Sequence, residues 1–594
     1  MNTRKTTIAE IYAGLPDAKD AILYEGMEQF LDAYVIPPDF NLQGLINGNK
    51  CFITGNKGSG KTAALRYLAY RLKNNYGNAR SSFLLFSQDY SEQQKSSMER
   101  QMIIHMAVDS ASETDVEEFS DLWRWHLFQI IMRDNEVEKK DRIFVHDETW
   151  RKFCHIINGI LSPEYKAKVS GNINMELPLF NIFTASITLD LPEWEFGKKK
   201  LSFSEAIKAA TECFLELDRR SCPYYLFIDE LDVCYNDKPV YQRDLRLIRD
   251  LICQTRYFNS IFQQNGWHQT KFFCTVRPEV LHAIDRTLSA GTVLKQLSGF
   301  DCPLSWDVPG AKTFERPVMQ LLLKRIEMAE SVNGEAYGSE KERYQRWFPE
   351  SIDHLEPSDY IKTITWSKPR DIVRILDCAK NICQNRSAFT ASVFTAIQKQ
   401  YSAQSCRELT GELEAVYSAR EISRILDALR GWKTDFSLDE FSVRLKKYGG
   451  TPPTDTSCFE TARNLYRAGV FGLFQPAAGL YRWNHLEGTE FLLNDDWKLV
   501  VHRGLWEALA LSLPCENSEE ESPQSTDAEN PESLFRELLQ IADNMTLTLQ
   551  QLSPQKRQEP FARGMAIVHQ KLAASLKSCS ADSESFVMGG GDKL

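Results

Sequence analysis

Three glycines and a lysine stand between a short apolar run and a helical pattern in the stretch Ile53–Leu68, ITGNKGSGKTAALRYL. Gly55, Gly60, Lys61 and Thr62 fit G-x-x-x-x-G-K-[ST], with a strand pattern before and a helix pattern after, the context that gives this spacing its meaning. Glycine lets the backbone curl until successive N–H groups converge on phosphate oxygens. The helix N-terminus behind Gly60 adds partial positive charge. On this reading Gly55, Asn56, Lys57, Gly58, Ser59, Gly60, Lys61, Thr62 and Ala63 cradle the phosphates of a nucleotide. Lys61 reaches the outer phosphates, and the Thr62 hydroxyl takes Mg²⁺.

A second chemical group lies in YLFIDELD, where four apolar residues carry Asp229 to the C-terminal end of a buried strand. That end is where open α/β sheets place their ligands. Asp229 is expected on Mg²⁺, directly or through water, and Glu230 on the attacking water. Asp232 fits either a supporting group or a helix N-cap. The run FFCTVRPEV supplies Thr275, a candidate γ-phosphate sensor, and Arg277. Arg277 suits a phosphate contact in cis or across a subunit boundary, with a structural salt bridge as the competing reading. In TWSKPRDIVRIL, Pro369 suits a first helical turn and Asp371 its dipole. Arg370 and Arg374 are four apart on one face. One of them, with Arg370 as the candidate, can reach back to the nucleotide; two solvated arginines are the alternative.

These groups need a scaffold. KCFITG, SSFLLFS, YYLFIDELD and KFFCTVRPEVL read as buried strands, with helical patterns between them. Alternating strands and helices predict an α/β fold built on a doubly wound parallel sheet. The interval between Lys61 and Asp229 far exceeds the ~30 residues of a minimal βαβ unit, so an insertion is expected over about 100–200. Its 167–192 portion partly alternates and predicts an inserted β-hairpin. From 310 onward the patterns are helical. Residues 436–512 read as a winged-helix-like α+β unit ending in a strand pair, GLYRWNH with WKLVVHRGLWEAL.

Composition bounds the rest. With 594 residues the chain exceeds one ordinary core. A net charge of −11 argues against coating nucleic acid by bulk charge, though not against a local basic patch. No apolar run reaches the ~20 residues of a membrane span, and the N-terminus lacks a signal core. The 14 cysteines include no C-x-x-C pair and read as reduced core residues of a cytoplasmic protein.

With the loop, FIDELD, TVRPEV and SKPRDIVRIL together, the chain resembles the AAA+/STAND side of the P-loop NTPases, in an arrangement similar to origin-recognition-like and KAP-like ATPases. More narrowly it resembles bacterial stand-alone P-loop ATPases found near phage-defence genes, in which the core is followed by a helical lid and a wing-like unit. The segments SWDVPGAKTFERPVMQLLLKRI, YSAQSCRELTGELEAVYSAREISRIL and LVVHRGLWEAL look like that family's downstream parts. The resemblance covers roughly residues 20–510. It implies ATP as cofactor, nucleotide-driven homo-oligomerisation and a regulatory or defence role.

The organisation expected is a P-loop core over 1–309, a helical lid over 310–435, the winged-helix-like unit over 436–512, an acidic linker over 513–532, C-terminal helices over 533–578 and a disordered tail over 579–594. The function expected is an ATP-hydrolysing switch that controls a separate effector protein. The alternative is a DNA-acting loader or remodeller whose candidate recognition helix, LDEFSVRLKKYGG, offers Arg444, Lys446 and Lys447. A scaffold without turnover is disfavoured by the intact Glu230. No membrane partner is expected.

Overall fold

Five parallel strands form the sheet that positions the site: β1 (Phe52–Thr54), β2 (Arg80–Leu85), β3 (Tyr224–Asp229), β4 (Thr270–Val276) and β5 (Asp301–Pro303), in the order β2-β3-β4-β1-β5. The computed structural model describes residues 5–98, 119–137, 141–159, 194–196, 199–201, 203–234, 238–288, 292–308, 310–335, 338–414, 416–449, 457–487, 491–494 and 496–512. The chain divides into two units, Met1–Pro514 and Cys515–Leu594, and every described residue belongs to the first. The linker, C-terminal helices and tail expected beyond 512 therefore lie outside the described residues.

β3 and β4 are buried along their whole length, which is why they read as near-continuous apolar runs. Phe83, Phe227 and Phe273 stack across β2, β3 and β4 with ring centroids 5.0 and 5.4 Å apart. Helix α1 (Lys61–Asn75) follows β1, and its buried positions Ala64, Leu65, Leu68 and Leu72 keep the three-to-four spacing that faces the sheet. Each such leucine contributes about 1.5–3 kcal/mol by leaving water. The sheet and its helices are the α/β arrangement that the strand–helix alternation predicts.

The insertion between β2 and β3 is a layer of this core. Its helices Ser120–Val137, Glu148–Gly159 and Phe203–Leu215 place Trp123, Phe128, Phe153 and Phe214 in the same cluster as the sheet. Trp123 Nε1 donates to the Leu247 carbonyl, 2.9 Å away on helix α2 (Lys238–Gln264). The Asp134 carboxylate accepts from the Tyr224 hydroxyl at the start of β3, 2.8 Å away. The hairpin expected over 167–192 lies outside the described residues. Just beyond it, Trp194–Phe196 pairs antiparallel with Lys199–Leu201.

A second core gathers around α3 (Pro317–Val332), α4 (Pro369–Ile382) and the first half of α5 (Ala391–Leu413). Ile8 and Ile11 reach it from the start of the chain, and Trp306 from just after β5. A third core takes the last turns of α5, through Leu409 and Leu413, together with α6 (Leu438–Gly449) and α7 (Cys458–Arg467). Its sheet contains β6 (Asp435–Phe436), β7 (Phe471–Gln475), β8 (Leu480–Arg482) and β9 (Lys498–Val501), in the order β8-β7-β9-β6. GLYRWNH and WKLVVHR each contain a strand as expected, but they do not pair with each other. β7 lies between them and pairs with both. Its interior Gly472 weakens the strand signal in FGLFQ; a Cβ there would stand 2.7 Å from the Trp483 ring.

Trp366 joins the second core to the third. Its backbone N–H donates to Asp371 Oδ2 (2.8 Å) at the start of α4, its indole N–H donates to the Gly469 carbonyl (2.8 Å), and its ring stacks on His502 at 4.0 Å. Trp366→Ala is expected to cost about 3–5 kcal/mol and to lower the thermal unfolding midpoint. Trp366→Phe keeps an aromatic face and loses only the indole donor, so it should cost less. Calorimetry of the three proteins checks the order, and an alanine variant no weaker than the phenylalanine one contradicts it.

Candidate functional site

β1 ends at Thr54, and the chain turns at once through Gly55–Gly60 into α1. Gly58 and Gly60 have φ of 78° and 89°, left-handed values at which a side chain is costly. Space is short as well: a Cβ on Gly55 would lie 2.6 Å from Ser59 Oγ. Within the turn, Lys61 Nζ donates to the carbonyls of Gly55 (2.7 Å) and Asn56 (3.0 Å). Burial, with the charge of Arg277 acting in the same direction, lowers the Lys61 ammonium to about 8. Trp306 Nε1 donates to the Ser59 carbonyl at 2.7 Å and so ties the loop to the segment entering the second core. Ser59 Oγ itself is buried without a hydrogen-bond partner.

The acidic edge comes from β3. Asp229 is 3% exposed and accepts a hydrogen bond from the Thr275 hydroxyl on β4. β4 lies between β1 and β3, and Thr275 is in register with Ile53 of the loop strand. The next residue, Glu230, has φ 59°, a conformation that costs a non-glycine residue about 1–3 kcal/mol. Its carboxylate accepts from Ser87 Oγ and Gln88 Nε2, each at 2.8 Å, just past the end of β2. Burial raises the Glu230 pKa and the neighbouring Asp229 adds to the rise, while the Ser87 hydrogen bond opposes it.

Of the arginines singled out in the sequence, Arg277 and Arg370 reach the site, and both hold a carboxylate. Arg277 lies between β4 and the helix Pro278–Leu288, with Nη2 2.8 Å from Asp232 Oδ1. Asp232 is therefore the counter-ion of Arg277, and α2 is described from Lys238 onward. Arg370, in the first turn of α4, donates to Glu408 Oε1 (2.8 Å) on α5 and to the Pro16 carbonyl (3.3 Å). Arg374 turns elsewhere, to Ser405 Oγ (3.0 Å), Glu408 and Asp371.

These groups surround a cavity of about 430 Å³, a size typical of small-molecule sites. Lys57, Gly58, Gly60, Lys61, Thr62 and Ala63 line it together with Asp229, Glu230, Thr275, Arg277 and Arg370. Gly55, Asn56 and Ser59 form the loop's inner turn and do not line it; nor does Arg374. Spacing alone missed the rest of the wall. Leu15, Phe30, Ala33, Tyr34 and Val35 come from the N-terminal segment, Leu321 and Arg325 from α3, and Val373 from α4. Ser87 and Gln88 were missed too, although their place just after the end of a parallel strand, on the same edge as Asp229, was a usable signal.

The donor set fits the expected groups. The Thr62 hydroxyl and the Asp229 carboxylate are hard oxygens on one cavity, the ligand type that Mg²⁺ takes. The glycine-rich turn admits a phosphate chain, and the apolar wall suits a base. Residues 26–90 match the family model described as ORC-CDC6-like. The matched span holds β1, the glycine loop, α1 and β2, and it supports a relationship to origin-recognition/AAA+-like ATPases. No curated protein matches the chain. Among the described residues no helix is long and apolar enough to cross a membrane.

Lys61 gives this site a pH signature. A phosphate held over Lys61 favours the ammonium and raises its pKa, so binding near or above pH 8 draws in a proton. Affinity for Mg·ATP is expected to fall as pH rises through about 8 and to be level well below it. Calorimetric titration at that pH in two buffers of different ionisation enthalpy measures the proton taken up, and zero uptake sinks the expectation. Lys61→Ala should abolish the binding itself.

Proposed function

We propose that the chain is an ATP-binding and ATP-hydrolysing switch that assembles into a homo-oligomer and controls a separate effector protein in bacterial anti-phage defence. The observation that carries the ATPase part is the convergence on one cavity of the glycine loop, Lys61, Thr62, Asp229, Glu230 and two arginines from separate elements. The ORC-CDC6-like match over 26–90 supports the same part. The defence role and the effector rest on the resemblance of roughly residues 20–510 to stand-alone defence ATPases.

In this mechanism Lys61 and the backbone of Gly58–Thr62 hold the outer phosphates, and Thr62 and Asp229 hold Mg²⁺. The metal supplies neutralisation of phosphate charge. Glu230 orients the attacking water and takes its proton, as a carboxylate with a raised pKa is suited to do. The bond from the γ-phosphorus to the water oxygen forms as the bond to the β-phosphate bridging oxygen breaks, releasing ADP and phosphate. Thr275 keeps Asp229 in place through its hydroxyl. Arg277 exchanges Asp232 for a phosphate oxygen, its own or a neighbouring subunit's.

Arg370 links the site to the remainder of the chain. When it turns to a phosphate it leaves Glu408, and Glu408 sits on α5, whose two ends belong to different cores. We read residues 436–512 as a winged-helix-like protein contact. Leu480 and Tyr481, at the end of the β7–β8 turn, are 53% and 52% exposed, and the turn sequence QPAAGL carries no lysine or arginine. Arg444 is already engaged, donating to the carbonyls of Ala428 (2.9 Å) and Arg430 (3.2 Å) at the end of the preceding helix. A DNA-acting ATPase remains the competing reading, supported by the exposed Lys446 and Lys447 of α6.

Glu230→Gln is expected to bind ATP and to lower turnover about 10²–10⁴-fold, trapping the assembled state in size-exclusion chromatography. Arg277→Ala should behave alike; unchanged turnover would confine it to the Asp232 bridge. The ATP hydrolysis rate with and without duplex DNA at two salt concentrations separates the two readings. A rate indifferent to DNA is expected, and stimulation that fades with salt would overturn the switch reading in favour of the DNA-acting one.

A further inference from the structure

One charge stands in the apolar wall of the cavity. Arg325, on α3, is 9% exposed and lines the cavity with Leu15, Phe30, Tyr34 and Leu321. Its Nη1 donates only to the Leu321 carbonyl of its own helix (3.0 Å), and its Nε is buried with no hydrogen-bond partner. Among the described residues no carboxylate lies within ion-pair distance of it. The carboxylate whose charge acts on it, Glu25, accepts from the Tyr12 hydroxyl at 2.6 Å. Burial lowers the guanidinium to about 10. A cation buried and under-bonded in this way is expensive, and an unsatisfied buried donor in a ligand cavity calls for an acceptor from the ligand.

The remaining wall limits what that acceptor is. Phosphate oxygens already have Lys61 and the glycine loop, while flat apolar and aromatic surfaces around Arg325 suit the faces of a planar ring. A guanidinium is a rigid planar fork of donors with no acceptor. It can donate one hydrogen bond to an acceptor nitrogen on the edge of an adenine ring; its bidentate pairing with O6 and N7 belongs to guanine. We propose that Arg325 is the base-reading residue of the site, donating in the plane of the base to a purine ring nitrogen of the bound nucleotide. This inference rests on the nucleotide reading of the cavity. It adds a residue that neither the glycine loop nor the acidic edge identifies.

The test compares binding of Mg·ATP with binding of Mg·tripolyphosphate, which has the phosphates and no base. In the full-length protein, Arg325→Met keeps an unbranched stem of similar reach and removes the donors. It is expected to weaken ATP about 10- to 100-fold, the range for a lost hydrogen bond to a charged group, and to leave tripolyphosphate within twofold. Lys61→Ala should weaken both ligands. Equal loss of both ligands in Arg325→Met, or loss of neither, overturns the assignment. A wild-type protein that binds neither ligand overturns the nucleotide reading itself. Thermal unfolding reports whether Arg325→Met is folded. Arg325→Lys, which keeps charge and stem without the fork, serves if it is not: it should weaken ATP several-fold and spare tripolyphosphate, and equal affinity for ATP would overturn the proposal.

Discussion

The reversal from β1 into α1 is the constraint on which the site depends. The chain must leave a buried central strand and enter a helix within six residues, Gly55–Gly60, with two of them in left-handed conformation. A Cβ on Gly55 would collide with Ser59 Oγ, and other elements pack against the turn at Gly58. The Lys368 and Arg370 side chains come within 3.4 and 3.5 Å of where a Gly58 Cβ would be. Trp306 fastens the Ser59 carbonyl from the other direction. The glycines thus do two jobs: they shape the loop, and they let the second core close on it.

Around the turn, charged groups singled out by the sequence are held by protein partners. Lys61 lies on its own loop carbonyls, Glu230 on Ser87 and Gln88, Arg277 on Asp232, and Arg370 on Glu408. Such pairing keeps partly buried charges from standing uncompensated. It also means that a ligand in the cavity competes with defined contacts on several elements, so occupancy is felt beyond the loop. The strained backbone at Glu230 belongs to the same design: the left-handed turn directs the carboxylate away from the strand axis toward the β2 edge. Arg325 stands apart from them, a buried cation with one hydrogen bond to its own helix.

Much of this was legible in the chain itself. The four apolar-patterned strands, the helix Lys61–Asn75 and the acidic strand end are legible in local pattern: β3 and β4, buried on both faces, read as continuous runs, and a helix buried on one face leaves a different period. The glycine loop was legible because left-handed backbone restricts residue type. The strand Phe471–Gln475 was not, since its glycine makes room for the Trp483 ring and blunts the pattern.

What only the tertiary structure decided is which distant groups meet. Sequence spacing placed Arg370 and Arg374 on one helical face without saying that the first lines the cavity and the second turns to Ser405 and Glu408. It left Asp232 between two roles, and the approach of β4 to the end of β3 settled that it pairs with Arg277. The N-terminal wall and Arg325 gave no signal at all. The physical reason is common to these cases: periodicity and residue type record whether a position is buried and what backbone it tolerates, because those are local costs. Hydrogen-bond and ion-pair partners drawn from segments tens to hundreds of residues apart are set by packing of the cores, which local pattern does not encode.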